Sequence, residues 1–312
     1  MKHPVREIIT MRNSFKKKLQ IFEKNVRLSK QARWKQALLH PIHILLYFLY
    51  SRVPFLLHTP IRKEAYLFFG KKLVGVFPDS VFSFIYLYGF LEEDLTKALI
   101  SFLKEDMVVI DIGAHIGYFS ALGAMLVGKS GSVHAFEATP RTYAYLQENM
   151  SQFHNVTTNL GAVWSKQGEL SFYDYGPFYA QCNSFTIAKL EKNILEKITP
   201  DKLTIPTLTI DAYCMKKKIK PNVIKIDAES AEYEILVGMK QVLIKYKPII
   251  SLEVGDVPEV VGRGSKDCIR FLQRLGYKPF NVKNGTLEKH VLRKDYYSIY
   301  DNLIFLPNTK NE

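Results

Sequence analysis

Four carboxylates lie within or just after apolar runs rich in β-branched residues. Asp111 lies in Val108-Val109-Ile110-Asp111-Ile112-Gly113-Ala114-His115-Ile116-Gly117-Tyr118-Phe119-Ser120, and Glu137 ends Val133-His134-Ala135-Phe136-Glu137. Asp227 follows Val223-Ile224-Lys225-Ile226, with Glu229 two residues on, and Glu253 ends Ile249-Ile250-Ser251-Leu252-Glu253. Such runs suit parallel strands covered on both faces. An acid ending an apolar strand is costly unless it finds partners. After the first run, glycines let backbone approach a ligand, and a helix N-terminus attracts negative charge. A dinucleotide fingerprint needs Gly-x-Gly-x-x-Gly. This chain instead has Gly113-x-x-x-Gly117, with His115 and Tyr118 at the other two glycine positions. With Asp111 at the strand's end, the pattern suits a ligand with an amino-acid end better than a pyrophosphate. S-adenosylmethionine (SAM) is such a ligand, and Glu137 is placed to accept both of its ribose hydroxyls.

Order and spacing of these segments carry a resemblance. The glycine motif is similar to D-x-G-A-N-x-G-x-F-S, the second strand to one ending F-E-P, and residues 225–232 to K-I-D-x-E-G-A-E. Together they resemble the FkbM-type family of SAM-dependent methyltransferases over roughly residues 85–306. Three positions depart from the pattern: His115 replaces Asn, Ala138 stands where Pro is common, and Ser230 replaces Gly. The resemblance implies a doubly wound, Rossmann-like class I methyltransferase sheet and SAM as cofactor. It makes Gly113, Ala114, His115 and Gly117 the cofactor turn, with Asp111 toward the methionine amino group and Glu137 on the ribose. Ala162, in Gly161-Ala162-Val163, falls where this fold holds adenine. Gly89-Phe90-Leu91-Glu92 is similar to a Gly-x-x-Glu of family members, which brings Glu92 near the methionine end, with Glu93 as the alternative.

Asp227 and Glu229 fall outside the carboxyl end of their strand, where open α/β sheets bind ligands. A hydroxyl that takes a methyl group must lose its proton, so a carboxylate base in reach helps. Asp227 is thus expected both at the cofactor and nearest the chemistry, with Glu229 as a second catalytic carboxylate. Glu232 and Glu253 either bind substrate or brace loops. No spacing of acids, His or Cys specifies a metal site, so none is expected. The leading expectation is O-methylation of a sugar or small-metabolite hydroxyl. Two alternatives stand beside it: an inactive SAM-fold scaffold docked through its basic arm, and a nucleic-acid methyltransferase. The acidic loop 227–230 would repel phosphate and disfavours nucleic acid.

The formal net charge of +13 is unevenly spread over 312 residues. Residues 1–36 hold eleven Lys/Arg and two acids, a basic arm. Residues 37–84 begin with an apolar segment whose longest clean run, Ile44–Tyr50, is too short to span a bilayer, which takes about 20 residues. That segment reads either as a helical lid on the catalytic part or as an interfacial element, so peripheral membrane contact through residues 1–58 stays open. The basic lead is too long for a signal peptide, which makes the expected location cytoplasmic, with or without attachment to a membrane surface. Cys182, Cys214 and Cys268 are far apart and indicate neither disulfides nor zinc. The methyltransferase part is expected over 85–307, with a loose tail at 308–312. Acceptor and oligomeric state stay open.

Strands alternating with helices predict the parallel sheet. Helices are predicted over 95–103, 118–127, 142–150, 233–243 and 267–275. Further strands are predicted over 156–160, 170–173 and 203–209, with a closing strand over 297–305 and an antiparallel ending at 302–307.

Overall fold

The computed structural model describes residues 4–179, 183, 185, 199–228, 231–256, 263–297 and 301–308. The chain forms two compact units, residues 1–93 and 94–312. The residues 85–93 expected at the start of the catalytic part therefore belong to the first unit.

In the first unit, the basic arm is one long helix, α1 (Pro4–Lys30), followed by α2 (Arg33–Leu39) and α3 (Pro41–Leu57). A hairpin of β1 (Ile61–Tyr66) and β2 (Lys72–Phe77) comes next, then α4 (Ser80–Tyr88). The segment 37–84 is thus not all helical. Exposure alternates along β1, with Ile61, Lys63 and Ala65 on the more buried face and Arg62, Glu64 and Tyr66 exposed. Aromatic rings hold this unit together. Phe22 of α1 meets Phe68 and Phe90 with ring centroids 4.7 and 5.2 Å apart. On α3, Tyr47 and Tyr50 pack on Phe77, and His43 stacks on Tyr86 at 5.1 Å.

The second unit contains α5, which begins at the unit boundary (Glu93–Phe102), then β3 (Val108–Ile112), α6 (Tyr118–Val127), β4 (Ser132–Glu137), α7 (Pro140–Met150) and β5 (Val156–Leu160). A small sheet follows, built from β6 (Ala162–Val163), β7 (Gly168–Asp174) and β8 (Asp201–Leu208). The main fold resumes with α8 (Ile210–Lys217), β9 (Val223–Ile226), α9 (Glu232–Gly238), α10 (Lys240–Tyr246), β10 (Ile249–Val254) and α11 (Ser265–Arg274). It closes with β11 (Tyr277–Lys283), β12 (Thr286–Lys289) and β13 (Asp301–Pro307). The central sheet runs β12-β11-β13-β10-β9-β3-β4-β5. Its five strands from β10 to β5 are parallel, and β13 pairs antiparallel to β10. This is the doubly wound arrangement expected, with the antiparallel last strand in place. One face carries Ile110, Ile112, Ile224, Ile226, Ile250 and Leu252 into a core completed by Ile235, Leu236, Leu243, Ile269 and Leu272 of the covering helices.

Two expectations change. The helix predicted over 233–243 is two helices meeting at Met239. A Cβ on Gly238 would collide with the Trp164 carbonyl, so the close backbone packing at this junction requires glycine. The Asp211 carboxylate then accepts from the Gln241 and Val242 N–H groups and caps the second helix. The strand predicted from 297 is a single bridge, Tyr297 with Asp256, and the strand proper begins at Asp301.

His134 of β4 is buried, its Nδ1 2.9 Å from the Tyr213 hydroxyl. Burial first, and then Lys217, push its pKa down to about 4. The group is neutral when folded and protonates near pH 6.5 when unfolded. Its contribution is therefore complete above pH 6.5 and is lost as pH falls from there toward 4. Urea unfolding should show stability falling by up to about 1.4 kcal/mol per pH unit in that window. His134→Gln should flatten the slope, and an unchanged slope would assign the effect to another group.

Candidate active site

The carboxyl ends of β3, β4 and β9 lie side by side, because Asp111 pairs in register with Ala135 on one side and with Lys225 on the other. Beyond β3 the chain turns through Gly113, at φ +74, and His115, at φ +51, into α6. Left-handed backbone at a non-glycine residue favours Asn, Asp and His. That explains how His115 stands at the position the sequence comparison gave to Asn. At Gly113 the reason for glycine is steric as well as conformational, since a Cβ would fall on the Asp227 carbonyl oxygen.

The turn's N–H groups are directed inward. Gly113 and Ala114 both donate to the Phe136 carbonyl at 3.0 and 2.9 Å, and Gly117 donates to the Ala114 carbonyl at 2.8 Å. The His115 N–H donates to Glu137 Oε2 at 3.0 Å. A phosphate cradle needs several N–H groups converging on one concavity, and here these four are already satisfied. Glu137 is buried and receives a second N–H, from Thr139, on Oε1 at 2.9 Å. An ionised carboxylate has about four acceptor sites. Two therefore remain, one on each oxygen, as a vicinal diol requires.

Lys225, which the sequence reading passed over, is the centre of the charge arrangement. Its ammonium lies 3.1 Å from Asp227 Oδ2, 3.5 Å from Asp111 Oδ1 and 3.2 Å from the Gly113 carbonyl, and 5.1 Å from the Phe119 ring. The signal was present: a lysine inside a strand covered on both faces must find partners, because charged side chains are almost never fully buried unpaired. Asp111 Oδ2 accepts from the Ser120 hydroxyl at 2.6 Å, while Oδ1 takes no hydrogen bond among the described residues. Asp227 keeps 27% of its side chain exposed, against 2% for Asp111 and 5% for Lys225, so it is the member of this group that solvent or an acceptor can reach. Burial raises the Asp227 carboxyl. The Lys225 ammonium and a hydrogen bond shared with Glu253 outweigh that and hold it below the usual carboxylate range, with a smaller pull from His115.

The carboxylate that meets Asp227 is thus Glu253 of β10. Glu229 lies outside the described residues. Glu232 accepts from the Ala228 N–H at 3.1 Å and braces the loop after β9. The Ala162 side chain is buried with Phe172 and Ile205 beneath the small sheet. Glu92 belongs to the N-terminal unit, where its φ is +41. Cys214 and Cys268 are buried thiols, the first pushed up to about 12 by burial and then by Asp211. Cys182 lies outside the described residues. No group of three or more His, Cys, Asp or Glu suited to a metal occurs among the described residues.

A model of the methyltransferase FkbM domain matches residues 111–279, more than half of the chain. The chain belongs to the FkbM methyltransferase family. SAM is the methyl donor of this family. The donor set fits that group: the partly exposed Asp227 carboxylate beside the turn suits a cation, and a pinned carboxylate with spare acceptor sites suits a ribose. Among curated proteins, the chain is 30% identical over 155 residues to the hexuronic acid methyltransferase AglP of Haloferax volcanii, covering 49% of this chain and 58% of that one. It is 27% identical over 150 residues to a protein-L-isoaspartate O-methyltransferase of Thermosipho melanesiensis, covering 47% and 68%. The chain therefore spans less than two thirds of the first of these relatives. Among solved structures, the FkbM methyltransferase of Methylobacillus flagellatus matches at 14% identity and a TM-score of 0.41, over 65% of this chain and 44% of that one.

Proposed function

We propose that this FkbM-family protein is a SAM-dependent O-methyltransferase acting on a hydroxyl of a sugar or small-metabolite acceptor. The observation that carries the reading is the satisfied glycine turn surrounded by carboxylates. With its N–H groups directed inward, Asp111 and Asp227 on the buried Lys225, and Glu137 and Glu253 near the ends of the flanking strands, the site disfavours phosphate and favours a cation. Bound SAM supplies an electrophilic methyl group on a positively charged sulfur. Glu137, held by His115 and Thr139, accepts the ribose hydroxyls, and Asp111, buried against Lys225, adds negative charge behind the turn on the side of the SAM ammonium. Asp227, ionised beside Lys225, receives the proton that the acceptor hydroxyl loses as its oxygen takes the methyl group. The O-directed reading draws support from the names of the two curated relatives, and the sugar reading from the first of them.

Calorimetric titration tests the cofactor half. Wild type should bind SAM, and Glu137→Ala should bind roughly 10²–10⁴-fold more weakly, because two hydrogen bonds to a charged group are lost at about 1.5–3 kcal/mol each. Equal affinities would remove Glu137 from the site. The catalytic half is tested once an acceptor screen gives turnover. Asp227→Asn should lower kcat by roughly 10²–10⁴-fold, the usual contribution of a positioned base. Its SAM affinity should fall by no more than about tenfold, the effect of losing one modest polar contact. Unchanged kcat would dismiss Asp227 as the base. SAM binding without turnover across a broad acceptor panel would favour a scaffold.

A further inference from the structure

The α3 helix is apolar on both sides, and only one side is used within the fold. Its inward side carries His43, Tyr47 and Tyr50 against Phe77 and Tyr86. Its other side presents Ile42, Leu45, Leu49, Arg52 and Leu56, spaced three and four residues apart, which aligns them as one stripe. These are not grazing exposures: Ile42 is 73% exposed, Leu45 59%, Leu49 46% and Leu56 78%. Phe48 and Phe55 flank the stripe, and α2 extends it with the exposed Trp34, Leu38 and Leu39. Soluble surfaces rarely leave so many large apolar side chains contiguous without a partner.

Charge selects the occupant. Residues 33–57 contain no Asp or Glu, and their cations are placed at the apolar surface itself. The Lys35 ammonium lies 5.5 Å from the Trp34 ring, and Arg52 stands exposed within the stripe. The preceding residues 1–32 add nine Lys/Arg against two acids. A twofold pairing of this face with itself would set like charges together with no acid to offset them. A surface of anionic headgroups over acyl chains complements both features. Length decides how the helix sits. Its 17 residues extend only about 25 Å, and a hydrocarbon core is about 30 Å thick. No helix among the described residues is long and apolar enough to cross a membrane.

We infer that the outward face of α2 and α3 is a docking surface for an anionic lipid bilayer, on which α3 lies in the interfacial plane. Leucine, isoleucine and tryptophan enter the acyl boundary, and Lys35 and Arg52 meet headgroup phosphates. The inference is independent of the proposed catalytic function.

Co-sedimentation of the full chain with vesicles tests it, comparing phosphatidylglycerol–phosphatidylcholine mixtures with phosphatidylcholine alone. Wild type should pellet with the anionic vesicles, more weakly at high salt. Ile42→Glu combined with Leu45→Glu should reduce partitioning by roughly a hundredfold, as expected for removing two buried aliphatic side chains. Both side chains are exposed, so circular dichroism and SAM affinity should be unchanged. Equal pelleting of wild type and the double variant, or no pelleting of a folded wild type, overturns the inference. So does a wild-type dimer that the double variant converts to monomer without any vesicle binding, because the face then joins two copies of the chain.

Discussion

Gly113→Ala should abolish SAM binding and lower stability by more than about 4 kcal/mol, a cost that single substitutions reach only through a named steric or electrostatic failure. Two effects add. The residue sits at φ +74, where an L side chain costs roughly 1–2 kcal/mol. The added Cβ would also fall on the Asp227 carbonyl oxygen, backbone that cannot rotate away as a flexible side chain can. Relief requires the ends of β3 and β9 to separate, and that displaces the Gly113 carbonyl from Lys225 at 3.2 Å. Gly70→Ala is the matching control. Its φ is +81 with no atom within 4 Å of the added Cβ, so it should cost only the conformational term. Thermal unfolding of both variants, with SAM titration, measures the difference. Equal losses would show that close approach between turn and loop does not determine the cost.

Lys225→Met should cost about 3–5 kcal/mol, the usual result of removing one partner from a buried ion pair. The methionine fills the space but leaves Asp111, 2% exposed, facing the partly exposed Asp227 with no cation between them. Guanidinium unfolding at neutral pH reads the loss directly. Adding Asp111→Asn to Lys225→Met should recover a substantial part of it, since coupled neighbours depart from additivity by about 0.5–3 kcal/mol. The pH dependence follows from the direction of the Asp227 shift. Its folded value lies below the ordinary carboxylate value, so its contribution is complete above about 3.9 and is lost as pH falls through the folded value. That acid-side loss should be missing from Lys225→Met. A loss below about 1 kcal/mol, the scale of an exposed pair, would mean that the lysine is not the support of this site.

The strands at the site were legible because each is a short apolar run ending at an acid or a glycine. β5 and α6 have the bounds the sequence predicted, Val156–Leu160 and Tyr118–Val127, and the closing antiparallel strand is present. What stayed hidden depended on contacts distant in sequence. Nothing near 238 announces the close approach of the Trp164 carbonyl where the two helices meet, and nothing near 211 announces that Asp211 caps the second of them. The pairing of Asp227 with Glu253 required knowing that β9 and β10 are neighbours. Two features were readable but missed. Asn284-Gly285, both at positive φ, is the strongest short-range hairpin signal and joins β11 to β12. The Val-rich run Leu73-Val74-Gly75-Val76-Phe77, followed by Pro78, marked the second strand of the N-terminal hairpin.

If the proposed methyl transfer holds, the fixed charge around Lys225 also bears on how spent donor is exchanged for fresh. Asp111 and Asp227 share the buried Lys225 ammonium, and Glu137 and Glu253 lie near the carboxyl ends of the neighbouring strands β4 and β10. A pocket of that balance holds a positively charged sulfonium more firmly than the neutral thioether left after transfer. Release of the used donor is then biased by electrostatics without any lid movement. Product inhibition should deepen when the acids are neutralised, and the preference for the charged donor should narrow as salt rises.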